Sequence, residues 1–561
     1  MRILFLTHSF NSLAQRLHAE LMASGHEISV EFDIADSVTE EAVALFQPDL
    51  VLAPFLKRAI PESVWRKYVC LIAHPGIVGD RGPSSLDWAI QSGEAEWGVT
   101  VLQAEAEMDA GPVWASATFP TRITKKSSLY RREATEAAVQ AVKSALDKLS
   151  AGVLPTPLGQ MGDARGQLRP VMKQADRQID WQHDTTAVIL QKINAADGFP
   201  GVADSLFGQP CHLFDACAEG RLRGPPGEVM ARRETALCRA TVDGAVWIGH
   251  VRRPDGFKLP ATRAFAAECV TVPELPLAGW LGEDYPTWQD IRYEEAADVG
   301  CLHFDFYNGA MGTRQCQRLV EAFRWALSRP TRTLVLMGGS DFWSNGIHLN
   351  LIEAAASPAD ESWANINAID DLAEAILRCE SHLTVAALGG NAGAGGCFLA
   401  RACDRVWVRD GVILNPHYKN MGNLYGSEFW TYLLPSRVGQ AGAEAIMRHR
   451  LPMSAAESVR LGFYDAVLPA STFHVDVARR ALELAQDSHA LLAAKRAARA
   501  QDEATKPLSD WRAEELEHMR RNFYGFDPSY HVARWHFVAK SPQSWTPRHL
   551  AEHRTPQRDS A

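Results

Sequence analysis

The sequence predicts an α/β protein that contains several domains. Its 561 residues are too many for one hydrophobic core. Short apolar runs alternate with helical periodicity over residues 1–165 and again over 299–525, a pattern typical of parallel sheets covered by helices. Residues 166–272 show short strands and turns instead. We therefore expect a doubly wound sheet, a small β-barrel and a second α/β domain, in that order.

The first domain, residues 1–165, is predicted to contain a doubly wound parallel sheet. Four short apolar runs are separated by helical intervals and lie at 2–7, 28–32, 49–54 and 70–75. In sheets of this kind the functional loops lie at the C-terminal edge of the strands. No G-x-G-x-x-G follows the first run, which disfavours a dinucleotide site.

The remaining boundaries follow from changes in composition. A proline- and acid-rich stretch at 273–298 is interpreted as a linker after the barrel. From 299 the strand–helix alternation resumes, and residues 475–520 are strongly helical. Residues 526–561 are predicted to form a C-terminal tail rich in His, Arg, Trp and Pro, to which we assign no chemistry.

Composition excludes several functional classes. The 57 basic and 67 acidic residues give a net charge of −10, so no overall positive field recruits nucleic acid or an anionic membrane. The ten cysteines include no C-x-x-C pair, which favours a reducing compartment and argues against a zinc site. No apolar run reaches the roughly 18 residues that span a bilayer, and the N-terminal run is interpreted as a buried strand. We therefore expect a cytoplasmic protein without a metal site.

The first candidate site lies in loops that follow two apolar strands. His74 ends one run, and Asp109 lies in a second loop that contains Gly and Pro. Arg81 and Gly82 lie between them. A histidine near a strand end is commonly structural, but one held by a carboxylate can take a proton from a nucleophile and return it to a leaving group. This pairing indicates acyl-transfer chemistry.

The segments HPGIVGDRGPSSLDWAI at 74–90 and MDAGP at 108–112 resemble the site of formyltransferases that use 10-formyltetrahydrofolate. The resemblance extends over roughly the first 270 residues, through IDW at 179–181, NAADGFPG at 194–201 and GPPGEV at 224–229. It implies an OB-like barrel over 166–272. It also implies that His74 transfers the proton, that Asp109 orients it, and that Arg81, Gly82 and Asp109 bind folate.

One position departs from the formyltransferase pattern. The family places an asparagine two residues before the histidine, as a donor to the tetrahedral oxyanion, and this chain has Ile72 there. Loss of one such donor typically lowers the rate about 10²–10³-fold. A thiol is a better nucleophile than an amine near neutral pH, so we expect a thiol acceptor. The alternative is an inactive domain retained for folate binding.

The second candidate site is glycine-rich. GGNAGAGGCFLARACD at 389–404 follows an apolar run, and SNGIH lies at 344–348. Glycines let backbone amides approach a ligand closely. Together the two segments resemble the thioester cradle of crotonases, over about residues 297–525. The resemblance implies oxyanion-hole amides from Ile347 and Gly395. It makes Lys495 and Arg496 candidates for binding coenzyme A phosphates, although a solvated helix face explains them almost as well.

Two departures argue against an ordinary enoyl-CoA hydratase. The two hydratase glutamate positions are occupied by Phe398 and Tyr418. Other polar candidates, Tyr425 and Glu428, lie in NPHYKNMGNLYGSE. A glutamate near tyrosines in an apolar site is expected to have a raised pKa and to exchange protons at neutral pH. The alternative for Glu428 is a charge at the start of a helix.

The order of formyltransferase domain, barrel, crotonase domain and tail resembles the HypX/HoxX family of hydrogenase maturation factors along the whole chain. The resemblance implies that formyltetrahydrofolate formylates coenzyme A and that formyl-CoA then releases carbon monoxide, a ligand of nickel–iron hydrogenase. It suggests a hydrogenase large-subunit precursor, or its maturation machinery, as a partner. We expect Glu428 to transfer the proton and Tyr418 to support it. The alternatives are an acyl-CoA hydrolase or isomerase, and a non-catalytic scaffold that binds folate and CoA.

Overall fold

The computed structural model describes residues 1–162 and 164–555. The chain divides into two compact units. The first contains residues 1–255, 260–274 and the segment that begins at 542, and the second contains 256–259 and 275–541. Asp163 and residues 556–561, the end of the predicted tail, lie outside the described residues.

The first unit begins with six strands and six helices. The strands are β1 Arg2–Thr7, β2 Glu27–Phe32, β3 Leu50–Phe55, β4 Val69–His74, β5 Glu96–Gln103 and β6 Val113–Pro120. The helices are α1 Ser12–Ala23, α2 Asp36–Phe46, α3 Glu62–Trp65, α4 Ser85–Gln91, α5 Lys126–Leu129 and α6 Thr135–Ser150.

These strands form one sheet in the order β2–β1–β3–β4–β5–β6. The first four strands are parallel and agree with the four predicted apolar runs. β5 and β6 are antiparallel additions at one edge. The interiors of the parallel strands are almost fully buried, which is why they are continuous apolar runs in the sequence. The predicted α/β class is confirmed.

The middle of the chain forms a second, antiparallel sheet. Its elements are α7 Thr186–Ala196, β7 Val202–Leu206, β8 Gln209–Glu219, β9 Val229–Arg233, β10 Ala236–Ala240, β11 Ala245–Arg252, β12 Lys258–Pro260 and α8 Ala261–Ala264. Five strands follow the order β7–β8–β11–β10–β9. Within the described residues the two end strands, β7 and β9, do not pair with each other. The predicted barrel is therefore better described as an antiparallel sheet.

The second unit contains the remaining elements. Its strands are β13 Ile291–Ala296, β14 Val299–Phe304, β15 Thr333–Gly338, β16 Phe342–Ser344, β17 Leu383–Leu388, β18 Asn391–Gly393, β19 Arg405–Arg409, β20 Ile413–Asn415, β21 Met453–Ser454 and β22 Ala466–Leu468. Its helices are α9 Thr313–Ala326, α10 Leu349–Glu353, α11 Pro358–Leu377, α12 Gly395–Arg401, α13 Trp430–Arg448, α14 Ala455–Arg460, α15 Phe473–Gln486, α16 Ser488–Thr505, α17 Leu508–Tyr524 and α18 Ser529–Ala539.

Two sheets organise this unit. The larger has the order β13–β14–β15–β17–β19–β22, and the smaller has the order β16–β18–β20–β21. In the smaller sheet β16, β18 and β20 are parallel. Their C-terminal ends therefore meet at one edge, where the loops that carry Ile347, Gly395 and Glu428 begin.

Two stretches differ from their predicted roles. The predicted linker 273–298 contains β13, which pairs antiparallel with β14. Its prolines and acidic residues obscure the short strand. Part of the predicted tail forms α18, and residues near its end lie on the edge of the first sheet, where Val30 donates a backbone hydrogen bond to Leu550. Covering an edge strand prevents it from pairing with another chain.

Neither a membrane-crossing helix nor a metal-binding cluster occurs among the described residues. Across 1–162 and 164–555, no helix is both long and apolar enough to cross a membrane. In the same residues, no group of three or more His, Cys, Asp or Glu side chains is arranged to hold a metal ion.

Candidate active sites

The first site forms at the end of β4, where the strand delivers His74 to the edge of the sheet. The His74 ring is buried, and its Nδ1 lies 3.5 Å from Asp109 Oδ2. The same carboxylate oxygen accepts a hydrogen bond from the Gly82 amide at 3.1 Å. The structure thus brings together three of the residues that the sequence singled out. Asp109 adopts a left-handed φ of 55°, a conformation that Asp tolerates better than most residues.

A second carboxylate, which sequence reasoning missed, contacts the other ring nitrogen. His74 Nε2 lies 3.0 Å from Asp80 Oδ2, and the Asp80 side chain is fully buried. A Cβ added to Gly76 would lie 2.4 Å from His74 Nε2 and 2.5 Å from Asp80 Oδ2, so only glycine fits beside this pair. The two carboxylates together fix the orientation of the imidazole ring.

The loop that carries Asp80 and Arg81 is braced by a later segment of the same unit. The Arg81 amide donates to Gln167, and the Arg169 amide donates to Arg81 at 2.9 Å. The Arg81 side chain is ion-paired with Glu107. A role for Arg81 in folate binding would therefore use a side chain that is already oriented toward the loop that carries Asp109.

The second site begins at the edge of the smaller sheet. Ser344 at the end of β16 pairs with Ala392 of β18, and Gly393 pairs with Asn415 of β20. Ile347 follows β16 by three residues, and Gly395 follows β18 by two residues. A Cβ built on Gly346 would lie 3.5 Å from the Gly395 nitrogen. The two glycine-bearing loops therefore lie side by side, as an oxyanion hole requires.

The amides of Ile347 and Gly395 are available to a ligand. Within residues 1–162 and 164–555, no protein acceptor takes either amide hydrogen. Buried backbone N–H groups are almost always paired, so two adjacent unpaired amides indicate a site for an oxygen with developing negative charge.

Glu428 lies against Gly395. A Cβ on Gly395 would lie 2.0 Å from Glu428 Oε1, so glycine is required there. The Tyr418 hydroxyl lies 2.7 Å from Glu428 Oε2 and donates to it. Burial, reinforced by the charge of Asp370, raises the pKa of Glu428 to about 8. Burial and the charge of Glu428 raise the pKa of Tyr418 well above its ordinary value, which keeps the phenol protonated.

Aromatic rings fill the space beside Tyr418. Phe398 is fully buried, stacks on Tyr418 with ring centroids 5.7 Å apart, and contacts Phe463 at 5.9 Å. Tyr425, another sequence candidate, stacks instead on His518 at 4.0 Å. Phe398 occupies a position where the resemblance places a hydratase glutamate, and the carboxylate beside Tyr418 is instead that of Glu428.

Two further buried carboxylates lie beside Glu428, and sequence reasoning missed both. They are Asp370 on α11 and Glu515 on α17, with exposures of 0% and 1%. The helical phase of α11 offered a signal, because Asp370 lies on the same buried face as Ile366, Ile369 and Ala373. An acidic residue at such a position requires partners.

The predicted phosphate ligands have partners within the protein. Lys495 Nζ lies 2.8 Å from Asp404 Oδ2, and Arg496 Nη2 donates to the Glu380 carbonyl at 2.8 Å. Both residues lie on α16. Binding of CoA phosphates by Lys495 would therefore require it to exchange its carboxylate partner, and the assignment of both residues stays a prediction.

Three family models match the chain. They are "Formyl transferase" at residues 1–146, "Formyl transferase, C-terminal domain" at 171–268, and "Enoyl-CoA hydratase/isomerase" at 308–546. The chain is also 24% identical to methionyl-tRNA formyltransferase from Dechloromonas aromatica, over 45% of this chain and 80% of that protein. The formyltransferase and crotonase parts are therefore both present, in the predicted order.

Relatives also match along the whole length. The chain is 57% identical to the hydrogenase maturation factor HoxX of Bradyrhizobium diazoefficiens, over 99% of this chain and 97% of that protein. The crystal structure of HypX from Aquifex aeolicus in complex with tetrahydrofolic acid is 48% identical, with a TM-score of 0.96 over 99% of both chains. The chain therefore belongs to the HypX/HoxX family of hydrogenase maturation factors.

Proposed function

We propose that this protein makes carbon monoxide for nickel–iron hydrogenase in two steps. In the first, a formyl group passes from 10-formyltetrahydrofolate to the thiol of coenzyme A. In the second, formyl-CoA releases CO and regenerates CoA. Both steps are redox-neutral, so they require proton transfer and oxyanion stabilisation but no external oxidant or reductant.

The first step suits the group around His74. The thiol sulfur attacks the formyl carbon, the bond from that carbon to N10 of the folate breaks, and the thiol proton ends on N10. His74, oriented by Asp80 and Asp109, is positioned to carry that proton. Arg81, Gly82 and Asp109 are assigned to folate binding, in line with the tetrahydrofolic acid complex of the Aquifex relative.

A thiol acceptor also accounts for Ile72. An amine acceptor needs strong stabilisation of the tetrahedral oxyanion, and the asparagine that would supply it is replaced by isoleucine here. A few per cent of a thiol is already thiolate near neutral pH. We therefore assign coenzyme A as the acceptor.

The second step suits the group around Glu428. The amides of Ile347 and Gly395 hold the carbonyl oxygen of formyl-CoA. The Glu428 carboxylate removes the formyl hydrogen as a proton, the bond from carbon to sulfur breaks to release CO, and Glu428 returns the proton to the departing sulfur. Tyr418 donates to Glu428 Oε2 and keeps the carboxyl group in place through both transfers. CoA phosphates are assigned to Lys495 and Arg496, and a hydrogenase precursor or its maturation machinery is the proposed recipient.

The observation that carries this proposal is the contact of the buried Glu428 carboxylate with Gly395 beside two unpaired amides. The test supplies purified protein with CoA and 10-formyltetrahydrofolate labelled with ¹³C in the formyl group. We expect labelled CO, detected in the headspace and by its capture on reduced myoglobin. Labelled formate without CO would indicate a hydrolase, and no turnover would indicate a binding scaffold. Either result would overturn the proposal.

Phe398 is expected to restrict the acyl group to one carbon, because its ring fills space next to Tyr418 where a longer acyl chain would extend. Replacing it with Ala should increase inhibition of CO release by acetyl-CoA by at least roughly tenfold, the discrimination that one carbon typically gives in an apolar pocket. Inhibition constants for acetyl-CoA measure this effect. Phe398→Leu, which keeps most of the volume, serves as the matched control. Equal inhibition of all three proteins would contradict the prediction.

A further inference from the structure

We propose that Asp370 and Glu515 are positioning residues that hold residues 427–431 in a strained turn and thereby place Glu428 against Gly395. This inference rests on the proposed function, since it assigns Glu428 the proton transfer of CO release. It adds two residues, from distant helices, that contact the turn rather than the substrate.

The turn contains two consecutive residues in an unfavourable backbone conformation. Glu428 and Phe429 both have a φ of 60°, the left-handed region that residues other than glycine rarely adopt. Gly426, with a φ of 93°, precedes them, and a Cβ there would lie 2.1 Å from the Tyr418 ring. Such strain persists only where the surroundings over-determine the conformation, and it concentrates at functional sites.

Asp370 binds the first half of the turn. The Ser427 hydroxyl lies 2.7 Å and 2.6 Å from its two carboxylate oxygens. The Glu428 amide donates to Asp370 Oδ1 at 2.9 Å. The backbone of Glu428 is therefore fixed by a carboxylate that is fully buried.

Glu515 binds the second half. The Phe429 amide donates to Glu515 Oε2 at 2.9 Å, and the Thr431 amide donates to Glu515 Oε1 at 2.8 Å. The Thr431 hydroxyl contacts the same Oε1. Asp370 and Glu515 together accept every one of these turn hydrogen bonds, so the turn is held from α11 on one side and from α17 on the other.

The charges around Glu428 are dominated by acidic groups. Asp370 from α11 and Glu515 from α17 face it, and the Tyr418 hydroxyl contacts it. Within the described residues, two thiols also interact with it, Cys316 from α9 and Cys397 from α12. Burial raises the pKa of both thiols, so they remain neutral. The charge of Asp370 is therefore the main charge that acts on Glu428.

Two more groups act on Asp370 itself. Burial has the largest effect and raises the pKa of Asp370 to about 6. The charge of Arg512 lowers this pKa, and the charge of Asp371 raises it. Burial raises the pKa of Glu515 well above its ordinary value. Asp370 thus acts on Glu428 through its charge and through hydrogen bonds, whereas Glu515 contacts the turn through hydrogen bonds.

This difference gives a test with two variants, assayed as CO release from supplied formyl-CoA between pH 5.5 and about 9.5, a range that spans the expected titration. Asp370→Asn removes a negative charge, so the pKa of Glu428 falls and the rising limb of the pH–rate profile moves to lower pH. Glu515→Gln replaces one of the two oxygens that accept from Phe429 and Thr431 with an NH₂ group, so the plateau rate falls by up to about 10²-fold and the limb moves less than in Asp370→Asn. The matched control is Asp510→Asn, at an exposed position of α17, which leaves the profile unchanged.

Hydrogen–deuterium exchange provides a readout that does not depend on catalysis. We expect faster exchange of the amides of residues 427–431 in Asp370→Asn and Glu515→Gln than in wild type and Asp510→Asn. An unshifted limb in Asp370→Asn, or unchanged exchange in both variants, would overturn the inference while CO release by the wild type still supports the proposed function. A wild type that releases no CO would overturn the proposed function and this inference with it.

Discussion

Replacing Glu428 with Gln is expected to abolish CO release while formyl-CoA still forms. Gln keeps the size of the side chain and can still accept a hydrogen bond from Tyr418, but it cannot take the formyl proton. Loss of a general acid–base group typically lowers the rate about 10²–10⁴-fold. Accumulation of labelled formyl-CoA without labelled CO, followed by mass spectrometry and headspace analysis, measures the effect.

The control for this variant is Glu444→Gln. Glu444 lies on α13, and its side chain is half exposed and paired with Arg448. This substitution removes a carboxylate of the same kind at a surface position, so CO output should not change. Normal CO output from Glu428→Gln would show that Glu428 does not transfer the proton. Tyr418 would then be the next candidate for that role.

Stability provides an independent check that Glu428 titrates as the structure indicates. Its pKa is raised from an ordinary 4.5 to about 8, so the unfolded state loses its proton first as pH rises. The wild type therefore loses stability between about pH 4.5 and 8, and the loss is complete above the folded-state pKa. Glu428→Gln lacks this loss, so its melting temperature relative to wild type should rise across that window.

Much of the fold could be predicted because its strands are buried on both faces. Runs such as 2–7 and 383–388 contain few polar residues in the sequence, and both form central strands. The strand β13 could not be recognised, because it is short and half exposed and follows a stretch that contains prolines. Short strands in the middle region could be predicted, but they were expected to form a barrel, because the path of strand pairing depends on contacts that are distant in sequence.

The residues of the candidate sites likewise include some that could be predicted from the sequence and some that could not. His74 and Asp109 could be paired because both follow strands of one sheet. Asp80 could not be recognised, because a carboxylate six residues from a histidine contacts it only when the intervening loop folds back. Asp370 lies 58 residues from Glu428, whose amide donates a hydrogen bond to it. Glu515 lies 86 residues from Phe429, whose amide donates a hydrogen bond to it. Only packing of helices against the turn brings them together.

Replacing His74 with Ala is expected to stop formyl-CoA formation while leaving the release of CO from supplied formyl-CoA intact. The imidazole is the group that moves the thiol proton to the folate nitrogen, and its loss should lower formyl transfer by about 10²–10⁴-fold. Labelled formyl-CoA from labelled formyltetrahydrofolate, quantified by mass spectrometry, measures the first step, and headspace CO from added formyl-CoA measures the second.

The matched control for His74→Ala is His183→Ala. His183 belongs to the same unit, and its side chain is 81% exposed and paired with Asp180 at the surface, so its removal should leave both steps unchanged. A normal rate of formyl-CoA formation in His74→Ala would assign the buried histidine a structural role between Asp80 and Asp109. His74→Ala is expected to lose formyl transfer alone, and Glu428→Gln is expected to lose CO release alone. This pair of results would assign the two half-reactions to separate sites on one chain, because each substitution would then stop only the reaction of the site in which it lies.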